Sequence, residues 1–132
     1  MLKKVDGGVM KHLSGCDGLF FESNHDLDML RMGSYPWSLK RRIMSRYGHL
    51  SNDDSVNAVQ RLLGADLKTL CMIHLSQKNN HESIVRDMCT RLLRRTGASI
   101  EFAIARQFEP TGVFDVARRR ERKPQPGQMS LF

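Results

Sequence analysis

Four apolar residues in a row, Leu70-Cys71-Met72-Ile73, stop abruptly at His74. An unbroken run this short, set off from its neighbours, suits a strand covered on both faces of a layered sheet. Leu19-Phe20-Phe21 reads the same way. Further on, Ile100, Phe102 and Ile104 alternate with Glu101, Ala103 and Ala105, the pattern of a strand with one more polar face. Val113-Phe114-Asp115-Val116, after Pro110-Thr111-Gly112, predicts a last short strand.

Helical stripes fill the intervals. Val56, Val59, Leu62 and Leu63 share a face; Ser51 is the expected N-cap, with Asp54 three residues on and Gly64 as the stop. Ile84, Val85, Met88, Leu92 and Leu93 make a second stripe, expected to open at Asn79 with Glu82 three residues later and to close at Gly97, with Arg86, Arg91, Arg94 and Arg95 outside. A third helix is expected after Pro36, with Leu39 and Ile43 inward and Lys40, Arg41, Arg42 and Arg46 outward. Strands alternating with helices predict an α/β fold.

The chain has 132 residues, one domain's worth, and is 40% hydrophobic, which excludes disorder throughout. No apolar run approaches the roughly 20 residues of a membrane-spanning helix. Met1-Leu2-Lys3-Lys4-Val5-Asp6 has no apolar signal region, so the cytoplasm is the expected location. Cys16, Cys71 and Cys89 are odd in number and lack Cys-x-x-Cys spacing, which argues against a disulfide framework or a zinc ribbon. Cys71, inside its apolar run, is expected to be a buried small hydrophobe. Net charge is +7. From Arg118 the pattern changes to Arg118-Arg119-Arg120-Glu121-Arg122-Lys123, then Pro124, Pro126 and Gly127, a solvated basic tether that attracts nucleic acid or acidic proteins without specificity. Residues 1–117 are thus the expected domain and 118–132 a tail.

Five histidines, His12, His25, His49, His74 and His81, carry the candidate chemistry. No two have the spacing of a local chelate, and isolated histidines are usually structural or exposed. Two of them recur in near-identical triplets, His49-Leu50-Ser51 and His74-Leu75-Ser76. A histidine ending a strand can aim its ring into a site.

Several motifs in order carry a resemblance. Glu22-Ser23-Asn24-His25-Asp26, Met29-Leu30, Gly33-x-Tyr35-Pro36, Leu39-Lys40-x-Arg42-Ile43, Gly48-His49-Leu50-Ser51-Asn52, His74-Leu75-Ser76-x-x-Asn79-Asn80, Ala105-Arg106-Gln107 and Pro110-x-Gly112-x-Phe114-x-Val116 resemble the C-terminal half of a metallo-β-lactamase-fold hydrolase. The nearest branch is the bacterial DNA-exonuclease-like phosphodiesterases. The similarity runs from about Ser14 to Val116. It implies half of an αββα sandwich, truncated at the N-terminus, and a divalent metal pair, zinc or manganese, in the full-length family.

By this resemblance His74 is the family's last metal-ligand histidine. His49 corresponds to a histidine that, in related tRNA 3′-end endonucleases, contacts phosphate or donates a proton. Glu22 corresponds to the acidic residue that orients it. A carboxylate bonded to an imidazole fixes its tautomer and favours the protonated, donating form. Asp6-Gly7-Gly8 matches the family's Asp-x-Gly, at a shorter spacing to Ser14, which makes Asp6 a candidate ligand. The family's first metal motif, His-x-His-x-Asp-His, is absent from this sequence. The expectation is therefore a partial domain, inactive alone, whose metals are held mostly by a complementary N-terminal half.

Lys40, Arg41, Arg42 and Arg46 are candidates for phosphate contact. The last five residues, Gln128-Met129-Ser130-Leu131-Phe132, resemble the bacterial sliding-clamp-binding pentapeptide, with Leu131 and Phe132 as apolar anchors and Gln128 at the rim. That second resemblance implies the clamp as a partner, with DNA. Two other outcomes fit the same residues: a non-catalytic, clamp-docking, DNA-associated accessory module, or a remnant without function.

Overall fold

The computed structural model describes residues 5–64 and 66–114. The fold is α/β, built on one three-stranded parallel sheet. The strands are β1 (Gly18–Glu22), β2 (Thr69–Ile73) and β3 (Glu101–Ile104), with β2 in the middle. Each follows an apolar run singled out above. The fourth expected strand does not form over Val113 and Phe114, and its remainder lies outside the described residues. A second sheet, as a sandwich would have, is not found among the described residues.

Register aligns the core. Leu19 pairs with Leu70 and Leu70 with Phe102; Phe21 pairs with Met72 and Met72 with Ile104. All six are buried on one sheet face. Burying a side chain of this size contributes roughly 1.5–3 kcal/mol. Against that face pack α4 (Asn52–Leu62), through Val56, Val59 and Leu62, and α5 (Glu82–Thr96), through Val85, Cys89, Leu92 and Leu93. On the opposite face the row Phe20, Cys71, Ala103 is in register. Cys71 is fully buried, as expected, whereas Phe20 is 56% exposed and meets Phe114 edge-on at 5.9 Å.

Helix ends follow local chemistry. Ser51 caps α4 by accepting from the Asp54 amide at 3.1 Å. Gly97 closes α5 in the left-handed conformation, φ 70°. The start of α5 differs from expectation. His81, not Asn79, is its N-cap, accepting from the Ser83 amide, because Asn79 is drawn into the interior.

Two short helices had no readable stripe: α1 (Gly7–Leu13) and α2 (Leu27–Met32). Two turns or fewer bury a single residue each, Met10 and Leu30, so no period develops. Asp6 and Asp26 cap them, accepting from the Val9 and Met29 amides. The helix after Pro36 is α3 (Trp37–Met44). No helix among the described residues is long and apolar enough to cross a membrane.

Candidate functional site

β1 and β2 run parallel, so their carboxyl ends lie at one edge of the sheet, where such folds place ligand sites. Glu22 ends β1 in register with Ile73, the residue before His74. The third group arrives from α3. Its last turn folds back tightly: the Gly48 amide donates to the Ser45 carbonyl and the His49 amide to the Ile43 carbonyl, each at 3.0 Å. A Cβ on Gly48 would sit 2.1 Å from the Ile43 oxygen, so only glycine fits there.

The result is a convergent triad. Nδ1 of His49 donates to Glu22 Oε1 at 2.9 Å and Nδ1 of His74 to the same oxygen at 2.5 Å. The other oxygen, Oε2, accepts from the Leu50 amide at 2.9 Å. The two imidazoles meet edge-on, centroids 5.1 Å apart. Glu22 is the most enclosed of the three, with its side chain 23% exposed against 44% and 61% for His49 and His74. Burial pushes its carboxyl up, but the Leu50 amide and both imidazoles together hold it below the ordinary glutamate value. An ionised carboxylate only accepts hydrogen bonds, so both rings carry a proton on Nδ1.

His74 reaches Glu22 through a rare backbone conformation. Its φ is 63°, in the left-handed region that a non-glycine residue seldom adopts. Asn24 holds it there. Its amide donates to the His74 carbonyl at 2.9 Å, and its own carbonyl accepts from the Ser76 amide at 2.7 Å. Behind lies a buried amide network. Asn52 Nδ2 donates to Asn80 Oδ1 at 2.8 Å, and Asn80 Nδ2 lies within bonding distance of Asn52 Oδ1 and the Ser23 and Asn24 carbonyls. Ser23 also donates to Asn52 Oδ1, at 2.6 Å. These residues fasten the ends of β1, the α4 entrance and the α5 entrance into one unit. The resemblance names the three residues of the triad and implies that Asn24, His25 and Asp26 shape the loop beside the site or form a turn and N-cap; the buried Asn52–Asn80 pairing was not foreseen, although each triad residue is followed within six positions by an asparagine.

The other candidates scatter. Asp6 caps α1, and it is absent from the one cluster of three or more potential metal ligands among the described residues, Glu22, His49 and His74. In that cluster one donor atom from each residue lies within 4.8 Å of the others. Two imidazoles and a carboxylate are ligand types of zinc sites, but with Glu22 bonded by both Nδ1 groups the set can offer an ion His74 and is short of the ligands a metal pair needs. Lys40, expected on the outer face of α3, is instead buried, and its ammonium donates to the Arg31 and Gly33 carbonyls at 2.6 and 2.7 Å. It closes the end of α2 and is unavailable to a phosphate. Arg41, Arg42 and Arg46 are exposed as expected, Arg46 over the Tyr47 ring at 5.8 Å. Gln128, Leu131 and Phe132 lie outside the described residues.

A cleft of about 570 Å³ opens beside His49 and His74, with Tyr35, Arg42, Tyr47 and Lys78 among its walls. The chain is similar to bacterial exodeoxyribonucleases. It is 40% identical over 102 residues to exodeoxyribonuclease YycJ of Bacillus anthracis, a match covering 77% of this chain and 36% of that protein. It is 38% identical over 94 residues to exodeoxyribonuclease WalJ of Streptococcus pneumoniae, covering 70% of this chain and 35% of that protein. The chain thus spans about a third of the length of the curated relatives it matches. No protein-family model and no solved structure matches.

Proposed function

We propose that this chain carries part of the active site of a metal-dependent, nuclease-like hydrolase acting on DNA, of metallo-β-lactamase type, and that it is inactive alone. The observation that supports this most is the meeting of Glu22, His49 and His74 at one sheet edge, in a chain similar to proteins named exodeoxyribonucleases. His74 would help hold zinc or manganese, which would supply Lewis-acid chemistry against a phosphodiester. His74 is a ligand in this reading. As an imidazolium, the form that the Glu22 carboxylate favours, His49 keeps its Nδ1 proton on Glu22 and gives its Nε2 proton to the leaving oxygen, ending neutral. Arg42, on the cleft wall, meets a substrate phosphate. The remaining ligands belong to a complementary N-terminal half.

The test has two arms. Zinc titration of the EDTA-dialysed chain by calorimetry should give at most one site per chain, lost in His74→Ala. Binding that His74→Ala leaves unchanged removes the assignment. Degradation of end-labelled duplex DNA with manganese should be absent for the chain alone and appear when the unmatched part of the Bacillus anthracis relative is co-expressed. Turnover by the chain alone would overturn its inactivity.

The terminal Gln128-Met129-Ser130-Leu131-Phe132 favours a second reading, docking to the sliding clamp. Clamp pull-down with and without these residues decides it; equal recovery removes the claim.

A further inference from the structure

His25 is a histidine that the chemistry above does not use. It is 1% exposed, and a polar ring taken out of water costs free energy unless it is hydrogen-bonded. Its Nδ1 lies 3.3 Å from Asn24 Oδ1. Asn24 is the residue that holds His74 in its left-handed conformation.

The partners fix where the protons sit. The His74 carbonyl only accepts, so Asn24 turns its NH2 toward it, at 2.9 Å. Asn24 Oδ1 then faces His25, and an amide oxygen also only accepts. Nδ1 of His25 must therefore carry a proton. Conversely, a protonated Nδ1 admits one orientation of the Asn24 amide, the one that bonds the His74 carbonyl. With the amide turned over, NH2 would meet N–H and oxygen would meet oxygen. An apolar side chain at position 25 would fill the space without choosing between the two.

Backbone and side chains of this segment hold different loops. The backbone ties the loop that carries His49: the Asn24 amide donates to the Leu50 carbonyl at 2.9 Å, and the Asn52 amide to the His25 carbonyl at 2.8 Å. The left-handed residue itself, His74, is reached through the Asn24 side chain. A non-glycine residue at φ 63° persists only where its surroundings over-determine it. Resting on the reading of His74 as a site residue, we propose that His25 is a positioning residue for His74. Its Nδ1 proton sets the Asn24 amide, which holds the backbone that brings the His74 ring to Glu22.

NMR of the 15N-labelled full chain, in EDTA at mildly alkaline pH, tests this. Long-range proton–nitrogen spectra of the wild type should show His25 protonated at Nδ1; a bare Nδ1 overturns the proposal whatever the variants do. His25→Leu should lose the strong amide–Hα contact that marks a positive φ at His74. Its His74 ring nitrogens should move from the Nδ1–H pattern to the averaged values of a free imidazole. The His49 ring should keep its Nδ1–H pattern, because backbone bonds hold its loop. His25→Asn, which restores a donor, should recover both His74 signals. Asn24→Asp keeps the acceptor for His25 and removes the donor to His74, so it should reproduce the loss at His74 alone; where His25→Leu loses both histidine patterns, this variant decides. Wild-type His74 signals in His25→Leu or Asn24→Asp overturn the proposal. So does joint loss at His49 and His74 in both variants, the mark of a merely structural tie. With no metal present, these failures leave the ligand reading standing, whereas zinc binding unchanged by His74→Ala sinks that reading and leaves the positioning of the ring intact.

Discussion

Glu22 accepts the Leu50 amide on one oxygen and two imidazoles on the other, so its carboxylate is the point on which three segments converge. Glu22→Gln replaces one acceptor oxygen with a donor that faces donors. The expected cost is about 2–3 kcal/mol, that of losing hydrogen bonds to a charged group, read from urea unfolding at neutral pH in EDTA. An unchanged midpoint would mean the three segments are held without it. Cys89 makes a second residue-scale prediction. Burial in the core pushes its thiol up to about 12, from an ordinary 9.0. A folded value raised above the unfolded one stabilises fully below the unfolded value, and that contribution disappears as pH rises through the folded one. Between those values Cys89 stays a protonated thiol in the folded chain and a thiolate in the unfolded one. Alkylation near pH 9 should therefore label half-buried Cys16 first and reach Cys89 only with denaturant, as peptide mapping would report.

At the scale of elements, His49 is positioned by how α3 ends rather than by α3 itself. The return of Gly48 and His49 onto the carbonyls of Ser45 and Ile43 turns the chain toward β1. Gly48→Ala puts a methyl into the Ile43 oxygen, and the turn must open. We expect a loss of about 1–3 kcal/mol, the range for forced overpacking, read from urea unfolding; an unchanged midpoint would show that the turn takes the methyl without opening. The Ser51 cap of α4, the Gly97 stop of α5 and the core stripes of both helices were legible because side-chain period and cap chemistry are local. The start of α5 was not. Asn79 has the residue type of a cap, but its carbonyl is taken by the Asp26 amide across the sheet edge, a contact between residues far apart in the chain. Lys40 misled at shorter range: its stripe position faces outward on an isolated helix, yet the end of the preceding helix, α2, comes to lie over it.

For the whole molecule, the sheet is covered unequally. One face holds the core under α4 and α5, and the other presents Phe20, 56% exposed, with partial cover from Phe114. Exposed aromatic surface on a sheet face drives association. Sedimentation of the purified chain should show concentration-dependent self-association, and Phe20→Glu should reduce it. Identical monomeric profiles for both would mean this face needs no cover.

The strands and the long helices could be read from the amino-acid order, because short apolar runs and helical stripes act over a few residues; the three residues of the triad came from resemblance to a family's motifs. What only the tertiary structure decided is how those residues are used. Parallel pairing in a particular register set Glu22 beside His74. A left-handed backbone at His74, clamped by Asn24, turned the ring inward. Packing of α2 against α3 took Lys40 out of solvent. The first two depend on contacts between segments far apart in the chain, which exist only once the sheet has formed; the third depends on how the chain turns between two neighbouring helices.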